Sequence, residues 1–225
     1  MDKVLESSRI SMQTVSTIGI AVHRHGGHVG LLYRINREEP VEILHLCGHL
    51  ELKSEVPSRG YACWVRPTFQ SLRAKAIAAF CRRVWKQNRN GRVPYGLSKP
   101  GQFFDFSSGK LLARGPAKVG LTCASFVLEI FNQTGFPLVK YEDWPDPSKE
   151  DIKKQRAYLK EIKRDYPNEV EHAKAFEAEI GNIRYTPLQV AGAGTADVPP
   201  VDYAYASDIA AKIHDLLKRL STSAN

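Results

Sequence analysis

The 225-residue chain has no hydrophobic run long enough to span a bilayer, which excludes a transmembrane helix from the expected architecture. Its first residues, Met1 to Ile10, show no basic stretch followed by an apolar one, so no Sec-type leader is expected. Cysteine is scarce. Cys47, Cys63, Cys81 and Cys123 form no spacing pattern of a small disulfide scaffold. Together these absences predict a cytoplasmic protein with free thiols, or one exported by a non-Sec route. No segment repeats at a fixed period, which excludes solenoids and propellers. Motifs of the known nucleic-acid-binding folds are missing as well. His45-x-Cys47-x-His49, with Cys63 or Cys81, contains metal-ligand residue types, but the spacing matches no structural zinc pattern. No metal and no cofactor are therefore expected.

Acidic residues are rare in the middle of the chain. Between positions 66 and 118 there are twelve lysines and arginines and one acid, Asp105, whereas residues 141–225 hold twelve basic and fifteen acidic residues. The net charge of +8 is thus concentrated centrally. Such a segment suits an anionic partner (nucleic acid, a phospholipid head group or an acidic protein), or serves as a solvated face.

What is present reads as an α+β chain of one domain, residues 1–225. Three β-rich stretches come first, at 13–22, 28–35 and 41–46, the last two joined as an antiparallel hairpin. Tyr61 to Val65 predicts another short strand. Pro67 to Asn88 predicts a helix, with Pro67 in its first turn and Asn90-Gly91 after it. Leu72, Ala76, Phe80 and Val84 form its apolar ladder, and Lys75, Arg82, Lys86 and Arg89 a candidate anion-binding arc. A Gly-, Pro- and Ser-rich connection follows over 90–119. Residues 148–165 and 168–180 predict two helices, polar on most faces, that form a peripheral insertion or appendage capped by Ser148. Residues 183–190 predict a strand, 191–200 a loop, and Ser207 the cap of a last amphipathic helix.

The most informative stretch is Gly120 to Phe131. Thr122 fits an N-cap and places Cys123 in the first helical turn, ahead of an apolar face of Phe126, Val127, Ile130 and Phe131. The helix dipole there favours thiolate and predicts a lowered cysteine pKa. A thiol nucleophile needs an imidazole, and the imidazole needs an orienting group. His28 opens a strand after Gly26-Gly27, and His45 lies on the partner strand of the hairpin. Gly30, on the same strand face as His28, leaves room for a neighbouring side chain.

At these residues the chain resembles the circularly permuted papain-like enzymes of the NlpC superfamily, which include the lecithin:retinol acyltransferase-like proteins and YiiX-type relatives. His28-Val-Gly-Leu-Leu-Tyr, Ile43-Leu-His-Leu46, Val93-Pro-Tyr-Gly96 and Cys123-Ala-Ser-Phe-Val127 carry the resemblance, in the family's order, over about residues 17–135. Thr122 stands where the acyltransferase branch often has Asn, and the hairpin loop is longer. The resemblance implies an antiparallel sheet packed against the nucleophile-bearing helix, with the helical pair at the periphery. It implies Cys123 as nucleophile, His28 as base, and His45, with His49 as rival, as the orienting residue. The helix-start N–H groups, with Tyr95 and Thr122, would serve the oxyanion and substrate. The reaction would be hydrolysis or acyl transfer at an amide, isopeptide, ester or thioester, on a peptide, protein-conjugate or acyl-lipid substrate. The alternative reading is a papain-like binding module without activity, which uses its basic helix to hold nucleic acid, anionic lipid or an acidic protein.

Overall fold

A computed structural model describes residues 4–6, 12, 14–89, 93–112 and 119–222. Six strands form one sheet: β1 (Val4–Glu6), β2 (Ile18–His23), β3 (Val29–Tyr33), β4 (Glu42–Leu46), β5 (Leu52–Glu55) and β6 (Tyr61–Val65). Their spatial order is β1-β6-β2-β3-β4-β5, and every neighbouring pair is antiparallel. The helices are α1 (Ser71–Asn88), α2 (Cys123–Gln133), α3 (Lys149–Asp165), α4 (Val170–Ala178), α5 (Pro187–Ala193) and α6 (Tyr203–Thr222). The α+β class expected from the sequence is the architecture observed.

The central strands are apolar on both sides because both sides are covered. Alternate residues of a strand point to opposite faces. Val29, Leu31, Leu44 and Leu46 join the large core with Phe126, Val127, Ile130 and Phe131 of α2. Leu32 and Ile43 join a smaller cluster with Met12, Val15, Ala21 and Trp64. The four α2 side chains are fully buried. At about 1.5–3 kcal/mol each, they contribute on the order of 6–12 kcal/mol of apolar burial, an upper figure because the unfolded chain already hides some surface. Glu129 is also fully buried on α2. Its carboxylate accepts from the N–H groups of Gly101 and Phe103 and from Gln133 Nε2, which ties the 101–103 turn to the helix.

Several boundaries differ from the sequence pattern. The strand expected over 13–22 is β2, which runs from Ile18 to His23. The helix expected from Pro67 begins at Ser71. Leu72 is 79% exposed and Ala76 is exposed, so the ladder fails at its first two positions. The buried side is instead Ala74, Ile77, Ala78, Phe80, Cys81 and Val84. The i, i+4 count chose a row through Phe80 and Val84 that runs off the packed face. The strand expected at 183–190 is α5: Thr186 forms a capping box with Gln189, and Pro187 occupies the first turn, both helix-start signals. The last helix starts at Tyr203, four residues before Ser207. β5, Leu-Lys-Ser-Glu, is mostly polar because it is an edge strand with one neighbour.

The two charged helices, α3 and α4, pack through a narrow seam. Leu159, Ile162, Ala173 and Phe176 meet Leu97 and Val119. Ser148 caps α3 as expected, its side chain accepting from Asp151 N–H. Beyond α4, Glu179 accepts from Leu97 N–H at 3.0 Å and from Ser98 Oγ. These contacts hold the pair against the segment that carries Tyr95.

Candidate active site

Cys123 is the first residue of α2, and its position is built by Thr122. Ser125 N–H donates to Thr122 Oγ1 at 3.1 Å, and Thr122 N–H donates to Ser125 Oγ at 2.8 Å. The N–H of Thr122 and a lone pair of its hydroxyl are therefore used within the capping box, which gives Thr122 a structural role at the helix start. Cys123 is 5% exposed. Burial pushes its thiol up to about 11, against opposing contributions from the N–H of Val29, the N–H of Ala124, the Arg184 charge and its own N–H. The lowered pKa expected from the helix dipole is corrected here: desolvation of a buried thiolate exceeds the stabilisation by the helix start. Cys123 also shares the large buried core cluster with Val29, which follows His28 directly.

His28 Nε2 lies 2.8 Å from His45 Nδ1. His45 Nε2 lies 3.3 Å from Glu55 Oε1. A carboxylate only accepts, so Glu55 holds the His45 proton on Nε2 and leaves Nδ1 as an acceptor. His28 must then donate from Nε2, which leaves the lone pair on Nδ1. The order Glu55, His45, His28 thus sets a tautomer from the sheet edge inward. Tyr61 OH at 2.9 Å also reaches His45 Nδ1, and Cys47 Sγ lies 3.4 Å from it. Burial lowers His28 to about 4, helped by the charges of His45 and His23. Burial likewise lowers His45 to about 4, with Lys53 adding to it. Burial raises Cys47 to about 11. At neutral pH these groups are uncharged imidazoles and thiols.

Gly30 is required where the two strands meet. A Cβ added there would lie 2.9 Å from both His45 Cβ and Ile43 side-chain atoms. The space expected beside His28 is therefore filled by His45.

His49, the rival orienting residue, faces elsewhere. Its Nδ1 accepts from Tyr95 N–H at 3.3 Å, and its ring lies 4.2 Å from His172 and 4.7 Å from Tyr166. The structure pairs His45, and not His49, with His28. Tyr95 packs its ring 5.6 Å from Tyr158 and helps line a cavity of about 220 Å³. Cys47, His49, Glu51, Glu161 and Asp165 also line that cavity, so α3 closes one side of it. Burial raises the Tyr95 phenol well above its ordinary value, and the Cys123 thiol contributes to the same shift.

Of the anion-binding arc, Lys75, Lys86 and Arg89 are exposed. Arg82 is half-buried and ion-paired with Glu39, so it is not available as expected. The periodic pattern could not reveal a partner on the β3–β4 loop. Sequence reasoning also missed Glu55 and Tyr61 as neighbours of His45, and saw Cys47 only as a metal-ligand residue type. Glu55 was hidden because β5 carries almost no strand signal.

No family model, no curated protein and no solved structure matches the chain. Among the described residues, no helix is long and apolar enough to cross a membrane.

Proposed function

We propose that the protein is a cysteine hydrolase or acyl transferase of the permuted papain-like type. The observation that carries this reading is that Cys123, at a capped helix start, shares one buried core cluster with Val29, the residue that follows His28. His28 in turn is held by His45 and Glu55 in the tautomer that a base needs.

In the proposed reaction, His28 Nδ1 takes the Cys123 proton as sulfur attacks a carbonyl carbon. Because burial keeps thiol and imidazole neutral in the resting protein, transfer and attack are coupled. Charge on the carbonyl oxygen is met by N–H groups at the helix start. The tetrahedral species collapses to a thioester as His28 returns the proton to the leaving amine or alcohol. Water or another acceptor then attacks the thioester, with His28 again the base. The adjoining cavity, with three carboxylates among its lining residues, suits a polar peptide-like substrate better than a long acyl chain.

The test compares the wild type with Cys123→Ala on amide, isopeptide, ester and thioester substrates, and measures labelling by an electrophilic probe. Turnover on at least one class that is lost in the variant, with Cys123 labelled ahead of Cys47, Cys63 and Cys81, is expected. Equal turnover by both proteins on every substrate, or labelling that ignores Cys123, refutes the mechanism.

A further inference from the structure

We propose that His28, His45 and Cys47 form a binding site for one divalent transition-metal ion of the zinc class. One ligand atom from each residue lies within 4.8 Å of the other two. The closest approaches are 2.8 Å between the two nitrogens and 3.4 Å from sulfur to His45 Nδ1. Around a four-coordinate zinc, with bonds of about 2.0–2.3 Å, such atoms stand roughly 3.3–3.7 Å apart. The two nitrogens, now 2.8 Å apart, would have to separate by about 0.5 Å to reach that spacing.

Three features favour metal over coincidence. The donors are two imidazoles and a thiol that releases its proton to solvent when the metal binds, a set that suits zinc, cobalt or copper and rejects calcium and magnesium. Glu55 Oε1 sits 3.3 Å from the remote nitrogen of His45, the carboxylate–histidine arrangement that turns the ligating lone pair inward. The framework is rigid: His28 leads into β3, His45 is on β4, and Cys47 follows β4 by one residue. His28 and Cys47 are only partly buried, which gives the ion a path. Tyr61 OH, 2.9 Å from His45 Nδ1, would have to give up that lone pair to the ion. The set differs from the one suggested by the His45-x-Cys47-x-His49 spacing, since His49 stacks on His172 and Cys63 and Cys81 are buried in the core.

Metal at His28 Nε2 would withdraw electron density from the ring and replace its bond to His45. The metal-bound protein is therefore an inhibited form, a consequence that rests on the proposed hydrolase reading; metal binding itself does not.

The experiment titrates chelator-treated, full-length protein with Co²⁺ and then Zn²⁺. One equivalent of Co²⁺ should give tetrahedral visible bands and a thiolate-to-cobalt charge-transfer band that Zn²⁺ displaces. Cys47→Ser should remove the charge-transfer band and weaken Zn²⁺ by about tenfold or more, whereas Cys123→Ala and His49→Ala should keep it. Absence of a thiolate band in the wild type, or a band that survives Cys47→Ser, overturns the site. Zn²⁺ binding with no loss of turnover overturns the inhibition and leaves the site standing.

Discussion

His45 Nε2 lies 3.3 Å from Glu55 Oε1 across the β4–β5 pair, while its other nitrogen faces His28. An edge-strand carboxylate thereby sets which nitrogen of a buried histidine on the adjacent strand carries a proton. Replacing it by an amide removes the charge and permits either tautomer. Glu55→Gln is expected to lower kcat by about tenfold, a modest part of what a positioned base supplies, with little change in KM. Half of the Glu55 side chain is exposed, so unfolding free energy should move by no more than about 0.5 kcal/mol. Steady-state kinetics and a urea titration check both halves; an unchanged kcat shows that His45 needs no anchor.

Much of this arrangement was legible before any coordinates. The apolar runs of β3 and β4, the capped start of α2 and the order His28, His45, Cys123 all follow from local patterning. Glu55 was not legible, because Leu52-Lys-Ser-Glu55 lacks β-branched residues and pairs on one side only. The thiol pKa was misjudged for a different reason: helix polarity can be read from a cap, but burial of a single sulfur depends on what packs over it. The Arg82–Glu39 pair joins residues 43 positions apart, and a helical wheel drawn on one helix has no access to such a partner. Residues 183–190 carry the apolar content of a strand, but the helix-start chemistry of Thr186 and Pro187 prevails there.

The β3–β4 contact offers a second test. At Gly30 any side chain must enter space held by His45 and Ile43, both within 2.9 Å of the new Cβ. Gly30→Ala should destabilise the fold by about 1–3 kcal/mol, the usual cost of overpacking, and should displace the His28–His45 pair. Gly27→Ala is the control, since a Cβ there meets nothing within 4 Å, and should be neutral within about 0.5 kcal/mol. Chemical denaturation gives the energies, and histidine side-chain NMR signals report the pair. Equal stability of the two variants would contradict the close approach.

Thr122 acts on Cys123 through the backbone. Its hydroxyl oxygen accepts the Ser125 N–H, and its own N–H is met by Ser125 Oγ. Thr122→Val keeps the shape and removes the acceptor. The expected cost is about 0.5–2 kcal/mol, as for other lost N-caps, together with faster amide exchange in the first turn of α2. Thr122→Ser should restore both. If Thr122→Val and Thr122→Ser behave alike, the cap is not what holds the helix start.

The stacking of His49 on His172 makes docking of the α3–α4 pair sensitive to acid. The rings lie 4.2 Å apart, His172 Nε2 donates to Tyr95 O at 2.9 Å, and Tyr166 OH donates to His49 O at 2.9 Å. Burial, and then the charge of His172, lowers His49 to about 4, and burial lowers His172 despite its bond to Tyr95 and the nearby Glu169. Both lie below the ordinary histidine value of about 6.5, so the docked state binds fewer protons than the undocked one. Its stability is complete above pH 6.5 and declines as pH falls towards 4, by up to about 1.4 kcal/mol per pH unit for each proton taken up. Hydrogen exchange corrected for intrinsic rates should show residues 149–178 losing protection at pH 5 relative to pH 7. His172→Phe preserves an aromatic surface for His49 but carries no titrating group, and should reduce the difference between the two pH values. Protection of α3 and α4 that is the same at pH 5 and pH 7 in the wild type would show that the stacked histidines do not govern docking.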